Sequence, residues 1–305
     1  MQSLRYRPHD PALPVTLSIC CSTQNHRPFI EACIDGFLDQ FCDFPVEILV
    51  HDDASNDGTT EVLRDYAARH PGLIRLFEGR ENLRALGVNP LLAVLLPQAR
   101  GRYIALCDGE DFWSDPNRMS TQVGRLEADP MLALTFGRAR SISDGGFNEA
   151  YVGGPQRDLT AEELRAGVSI NAMTAVFRNV FRDLPPPPCL RQAPLWDMPI
   201  WAILGQHGSA RFMAELPPAN LRLHEGRAIV AESERSSYHM KALTQLAVAG
   251  WNARRGDDVA SLAALRATIE TIGMTGQIRL AELPREGVSL LGILRICLRL
   301  LKGGR

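Results

Sequence analysis

Between residues 15 and 136, short β-rich apolar runs alternate with segments of helical spacing. Three polar or acidic clusters stand where those apolar runs end. Val15–Cys21 runs into Ser22-Thr23-Gln24-Asn25, Val46–Val50 into a stretch that reaches Asp52-Asp53-Ala54-Ser55-Asn56-Asp57-Gly58, and Tyr103–Cys107 into Asp108-Gly109-Glu110-Asp111. Leu73–Phe77 and Leu132–Phe136 are two further runs of strand length. Between them, Ile30, Cys33, Ile34, Phe37, Leu38 and Phe41 recur at helical spacing after Pro28, and Val62, Leu63, Tyr66 and Ala67 do so in a second helix. Val88–Ala99 reads as a helix that Pro97 should end early, and Asn117–Glu127 as another. Such alternation requires crossover connections and a mostly parallel sheet flanked by helices, with a ligand crevice at the carboxyl ends of the strands. The three clusters would share that crevice.

After residue 137 the pattern loosens. Ser141–Arg157 reads as a Gly-rich loop or hairpin, and Thr160-Ala161-Glu162-Glu163 as a capping box opening a short helix. Met173–Phe177 has strand character, Pro185–Pro188 is a stiff extended linker, Trp196–His207 is helical, and Arg211–His224 holds two short strands. From Ser233 onward the chain is almost entirely helical. The expected layout is therefore an α/β domain over residues 1–230, with a first half at 14–136 and a second at 137–230. A helical C-terminal region follows at 231–305.

Bulk properties exclude several classes. Of 305 residues, 45% are hydrophobic and 22% charged, the balance of an ordinary globular protein. A net charge of −2 offers nothing global to recruit nucleic acid. The seven cysteines include no CxxC pair, which argues against a zinc site or a disulfide framework and for small core residues in a reducing compartment. The N-terminus lacks the pattern of a signal peptide, and no stretch reaches the roughly 18 apolar residues that span a bilayer. The expected location is cytoplasmic.

The turn Asp108-Gly109-Glu110-Asp111 packs three carboxylates into four residues, which repel one another unless a cation neutralises them. Oxygen ligands on a short turn suit Mg²⁺ or Mn²⁺, and such an ion can bridge the phosphates of a nucleotide diphosphate and stabilise it as a leaving group. A solvated acidic loop is the plain alternative. In the second cluster, Asp57 and Asn56 can cap the following helix, which leaves Asp52 and Asp53 without a structural duty. A carboxylate there could accept hydrogen bonds from a base N–H or from ribose hydroxyls.

Pro14-Val15-Thr16-Leu17-Ser18-Ile19, the turn to Asn25, Val50-His51-Asp52-Asp53-Ala54-Ser55-Asn56-Asp57-Gly58-Thr59, and Gly101-Arg102-Tyr103-Ile104-Ala105-Leu106 leading into the acidic turn resemble the family-2 glycosyltransferases. The resemblance spans about residues 14–136 well and extends more loosely to about 226. It implies the Rossmann-like GT-A fold, a nucleotide-diphosphate sugar donor, and inversion at the anomeric centre. It also implies that Asp53 contacts the nucleobase, Ser22, Thr23, Gln24 and Asn25 form the nucleotide-contacting turn, Glu110 lies near the ribose, and Asp111 ligates Mn²⁺ or Mg²⁺. Asp108 matches an extra acidic position of one branch. Two positions depart from the pattern: Gln24 stands where an aromatic usually precedes the Asn, and Glu110 replaces aspartate. Asn82-Leu83-Arg84 lacks a glycine often found there.

An inverting transfer needs a carboxylate that takes the proton of the acceptor hydroxyl, on a segment other than that of the metal ligand. The resemblance places it at Asp197, at the start of a helix in the acceptor half; an N-cap flanked by packing tryptophans is the alternative. Leu221-Arg222-Leu223-His224-Glu225-Gly226 is similar to the family's late Arg-x-His segment, so Arg222 or His224 would meet the diphosphate and His224 could ligate the metal. Trp113 fits a sugar pocket or the core equally well. Residues 289–302 form a basic amphipathic helix, with Arg295, Arg299 and Lys302 on one face, suited to an anionic membrane interface or to packing on its own domain. The acceptor implied is a glycan or lipid-linked glycan of surface polysaccharide synthesis. A sugar nucleotidyltransferase would want a glycine-rich loop after the first strand, and Ser22–Arg27 has no glycine; a dehydrogenase would want G-x-G-x-x-G there. A catalytically silent scaffold of the same fold is the rival from another class.

Overall fold

The structure is a computed structural model that describes residues 13–143, 146–151, 153–182, 187, 190, 193–224 and 234–274. Strands β1 (Leu17–Thr23), β2 (Val46–Asp52) and β4 (Tyr103–Asp108) are buried along almost their whole length, as apolar runs covered on both faces of a sheet must be. β1 pairs in parallel with β2 on one side and β4 on the other, and β2 pairs in parallel with β3 (Ile74–Glu78). The full order is β3-β2-β1-β4-β8-β5-β9, with β5 at Leu132–Phe136, β8 at Val176–Arg178 and β9 at Ser209–Phe212. β8 runs antiparallel between β4 and β5, so the strand expected at Met173–Phe177 enters the sheet between two strands that precede it in the chain. A smaller sheet joins β10 (Ala219–Arg222) in parallel to β6 (Ala139–Ser143), which forms the expected hairpin with β7 (Gly146–Tyr151).

Helices α1 (Ile30–Leu38), α2 (Thr59–Arg69) and α4 (Arg118–Ala128) contribute Ile30, Cys33, Ile34, Phe37, Leu63, Tyr66, Met119, Val123 and Leu126 to the main core. Phe41 departs from the expected helical stripe: α1 stops at Leu38, and Phe41 is exposed. Pro97 does not break its segment early. Leu91–Leu95 forms a π-helical turn in which the Leu96 N–H bonds the Leu91 carbonyl, and Pro97 then stands at the start of a short α turn, α3 (Leu96–Gln98), where its missing N–H costs little. Cys20, Cys21, Cys33, Cys42 and Cys107 are buried free thiols; burial pushes Cys107 up to about 11 and Cys42 up to about 12, so both stay protonated.

Two compact units emerge. The first comprises residues 1–159, 170–186 and 207–223; the second comprises 160–169, 187–206 and 224–305. Within the second unit, α5 (Ala161–Arg165) is opened by the Thr160–Glu163 capping box, and α6 (Met198–Leu204) is wholly buried. α7 (Glu234–Arg254) and α8 (Asp258–Met274) are tied by Ser261 Oγ to the Ala249 carbonyl and Thr271 Oγ1 to Gln245 Oε1, each 3.0 Å. No helix among the described residues is long and apolar enough to cross a membrane, and the Pro185–Pro188 linker (apart from 187) and residues 289–302 lie outside them.

A buried polar clamp secures the amino ends of the central strands. Glu47, 1% exposed, accepts from Ser18 Oγ at 2.7 Å, the Arg100 N–H at 2.7 Å and Arg100 Nε at 2.8 Å. Ser18 Oγ in turn accepts from the Gly101 N–H at 2.8 Å, and a Cβ on Gly101 would lie 2.5 Å from the Ser18 nitrogen. Replacing Glu47 by alanine leaves Ser18 and the Arg100 amide without their acceptor, while the exposed Arg100 guanidinium turns to water. Glu47→Ala is expected to destabilise the protein by about 1–3 kcal/mol, read as a lower urea midpoint at unchanged slope.

Candidate functional site

The turns that follow β1 and β2 are laced to each other. Asn25 adopts φ 55° and Ala54 φ 59°, left-handed conformations that cost a side-chain-bearing residue about 1 kcal/mol or more and persist only where neighbours hold them. Here the Asn25 N–H donates to Ser55 Oγ at 2.9 Å, and Asn25 Oδ1 accepts from the Asn56 N–H at 2.9 Å. Asp57 takes the Arg27 N–H on one oxygen and the Thr59 N–H and hydroxyl on the other. Burial raises the Asp57 carboxyl, but these bonds outweigh it and hold it below the usual carboxylate range. Gly58 has φ 96°, which glycine alone adopts freely at the entry to α2.

The expectation that Asp52 and Asp53 have no structural duty is overturned. Asp52 accepts from the hydroxyls of Ser55 and Thr60, closing its own turn. Asp53, fully buried, accepts the Leu83 N–H at 2.7 Å on one oxygen and the Arg84 N–H at 3.0 Å on the other. The loop after β3 is thus fastened to the crevice by a carboxylate, and Gly79 pins its near end by donating to the Asp52 carbonyl at 2.7 Å. This gives Asn82-Leu83-Arg84 a firm place. Arg84 Nη2 lies 3.4 Å from Ser22 Oγ and 3.5 Å from Asp108 Oδ1. In register, His51, Ser22 and Asp108 form a row across β2, β1 and β4. His51 is buried with no hydrogen-bond partner at Nδ1, and burial lowers its pKa, which keeps the ring neutral.

The acidic turn closes tightly against this framework. The Gly109 N–H donates to the Ser22 carbonyl at 3.0 Å, and a Cβ at Gly109 would meet Thr23 Oγ1 at 2.4 Å. One oxygen from each of Asp108, Glu110 and Asp111 lies within 4.8 Å of the others. Glu110 and Asp111 are 7% and 2% exposed, whereas the Asp108 side chain is about half exposed. Buried carboxylates this close, on oxygen donors alone, fit a hard divalent cation. Asp111 Oδ1 accepts the Arg222 N–H at 2.9 Å, and Arg222 Nε donates to the Glu110 carbonyl at 3.1 Å, with its guanidinium 4.8 Å from the Phe29 ring centre. β10 therefore delivers Arg222 to the turn, aided by paired backbone bonds between Phe112 and Asn220.

Of the residues singled out in the sequence, Ser22, Thr23, Gln24, Asn25, Asp53, Asp108, Glu110, Asp111 and Arg222 belong to the first unit. Asp197 and His224 belong to the second. Asp197 precedes α6 but makes no capping bond with its side chain; the Trp201 indole N–H faces Asp197 Oδ2 at 3.4 Å. Trp113 is a core residue: it is 3% exposed, packs 5.0 Å from Phe37 and donates its indole N–H to the Met173 carbonyl at 2.8 Å. Sequence reasoning missed His26, whose imidazole lies 3.3 Å from Glu110, and left Arg84 undervalued. Their only signal in the sequence was adjacency to the polar turn and a missing glycine.

A mostly parallel α/β sheet carrying these turns at the carboxyl ends of β1, β2 and β4 defines a GT-A glycosyltransferase. The family model for glycosyl transferase family 2 matches residues 18–184, and the chain belongs to that family. It is 34% identical over 206 residues to the uncharacterized protein Rv1520 of Mycobacterium tuberculosis, covering 66% of this chain and 56% of that one, so it spans little more than half of that relative's length. It is 33% identical over 98 residues to the uncharacterized glycosyltransferase EpsJ of Bacillus subtilis, 32% of this chain and 27% of that one. Among solved structures, it is similar to S. aureus TarS 1–349 in complex with UDP-GlcNAc, with a TM-score of 0.61 at 14% identity over 94% of this chain and 82% of that one.

Asp53→Ala would orphan the two loop amides that its carboxylate holds. Amide hydrogen exchange at Leu83 and Arg84 is expected to speed up roughly ten- to a hundredfold, with exchange in β1 and β4 unchanged. Equal protection in the variant would show that the loop is held by other contacts.

Proposed function

We propose that the chain is an inverting glycosyltransferase that moves a sugar from a nucleotide-diphosphate donor to a glycan or lipid-linked glycan acceptor. The observation that carries this reading is the acidic turn at the end of β4, with three carboxylates clustered beside the laced turns of β1 and β2. In this reading Ser22, Thr23, Gln24, Asn25 and Asp53 hold the nucleotide, and Asp108, Glu110 and Arg222 line the ribose and diphosphate. Asp111 and His224 would hold Mn²⁺ or Mg²⁺. The cation, when bound, neutralises charge on the departing diphosphate. UDP-GlcNAc in the TarS complex supports a nucleotide-sugar donor for a chain of this fold. The GT-A domain of residues 1–230 would bind both substrates, with 231–305 as its helical extension.

Asp197 acts as the base. As the acceptor oxygen attacks the anomeric carbon, its O–H bond breaks and the proton passes to the Asp197 carboxylate, while the bond to the diphosphate oxygen breaks on the opposite face. The neighbouring Trp201 indole N–H faces Asp197 Oδ2 at 3.4 Å and helps to orient the carboxylate. Peripheral contact with the inner face of a membrane through residues 289–302 would suit a lipid-linked acceptor.

Calorimetric titration with UDP, GDP, CDP and dTDP, each with Mn²⁺ and with chelator, tests the donor site. One diphosphate is expected to bind in a metal-dependent way and to weaken at least about tenfold in Asp111→Ala. If none binds with metal present, the donor-site reading fails. Asp197→Asn is expected to bind the same diphosphate within about threefold of the unsubstituted protein while sugar transfer or donor hydrolysis falls by about 10²–10⁴. Unchanged turnover in that variant would remove Asp197 from the chemistry.

A further inference from the structure

His26 follows the nucleotide-contacting turn and has no role in the reading above, yet it is among the most thoroughly anchored residues of the crevice. It is 8% exposed. Its backbone N–H donates to Thr59 Oγ1 at 3.0 Å, and its carbonyl accepts from the Phe29 and Ile30 N–H groups, each at 2.9 Å. Its ring is set from one side by Thr23, whose hydroxyl lies 3.1 Å from Nδ1. On the other side Nε2 lies 3.3 Å from Glu110 Oε2. With its proton on Nε2 the ring donates to the carboxylate, and the Thr23 hydroxyl then serves Nδ1 as donor to the neutral ring or as acceptor from the imidazolium.

The backbone beneath this chain of contacts is equally constrained. Gly109 lies so close to Thr23 that any side chain there would strike its hydroxyl, and the Gly109 N–H is bonded to the Ser22 carbonyl. Thr23 is thus held between the glycine and the imidazole, and the Cα of Glu110 is placed by the same turn. From that position a glutamate reaches His26; an aspartate is one methylene shorter.

We propose that His26 is a positioning residue of the donor site: set by Thr23 and Thr59, its imidazole holds the Glu110 carboxylate toward the nucleotide, and this pairing is what allows glutamate to occupy a position where the family pattern has aspartate. The inference rests on the proposed role of Glu110 in donor binding. It makes His26 and Glu110 one functional unit, so their substitutions are non-additive.

The test is a double-mutant cycle on nucleotide-diphosphate affinity with Mn²⁺, supported by imidazole ¹⁵N NMR of the nucleotide-free protein. His26→Ala and Glu110→Asp are each expected to weaken binding about tenfold, and the double variant is expected to be no weaker than either single one. His26→Gln, whose amide N–H can reach the same carboxylate, should recover affinity to within about threefold, a rescue that a merely structural loss would not give. The His26 Nε2 resonance should shift on Glu110→Ala without any nucleotide. Wild-type affinity in His26→Ala, or fully additive losses in the double variant, would overturn the inference and leave the donor site standing. An Nε2 resonance indifferent to Glu110→Ala would overturn the pairing itself. Failure of the unsubstituted protein to bind any of the four diphosphates would instead bring down the donor-site reading, and this inference with it.

Discussion

The Asp53 N–H donates to the Thr23 carbonyl at 2.8 Å and the Gly109 N–H to the Ser22 carbonyl at 3.0 Å, so the parallel ladder joining β2, β1 and β4 continues past the strands into their turns. Ser22 to Asn25, Asp53, Asp108, Glu110 and Asp111 are all carried on that extension. Because the three turns share one backbone network, Asn25 and Ala54 can be held in left-handed conformations, and the carboxylates of Asp108, Glu110 and Asp111 can be crowded together. A sheet whose strands ended freely would let such a cluster splay apart under its own repulsion. The ladder resists this because each turn is bonded to its neighbour at backbone level, where no rotamer change can relieve the crowding.

Charge is distributed in two ways within the crevice. Asp52, Asp53 and Asp57 are spent on structure: their oxygens accept hydroxyl and amide hydrogens that close turns and fasten the loop after β3. Asp108, Glu110 and Asp111 converge instead, with the Arg84 guanidinium near the first, while Arg222 gives its backbone N–H to the Asp111 carboxylate and its Nε–H to the Glu110 backbone carbonyl. A carboxylate that accepts two backbone N–H groups is satisfied by the fold, whereas three that face one another call for a cation. Asp53, at the carboxyl end of β2, is satisfied in the first way, with one loop amide on each oxygen.

Much of this was legible in the sequence. Alternating apolar and helical spacing placed β1 to β5 within one or two residues, since a strand buried on both faces has little choice but to be apolar throughout. The capping box at Thr160 was equally plain, because capping is a local exchange between residues three apart. The insertion of β8 between β4 and β5 was not legible, since pairing partners distant in sequence leave no periodic trace. Pro97 misled for a related reason: the π-helical turn before it changes which carbonyl its ring must avoid, and that turn is packed against β1 and β2 rather than encoded locally.

Sequence alone determined the kind of site: three polar clusters at strand ends, three carboxylates crowded into one turn, and the order and spacing that mark the family. Those properties are set by residue type and by separations along the chain. Tertiary structure decided which residues within the clusters are spent. It turned Asp53 toward the amides of Leu83 and Arg84, sent Trp113 into the core beside Phe37, and set His26 against Glu110. Each of those outcomes depends on where a side chain from another segment lies to within about an ångström, a distance that hydrogen bonding and close packing resolve and residue order does not.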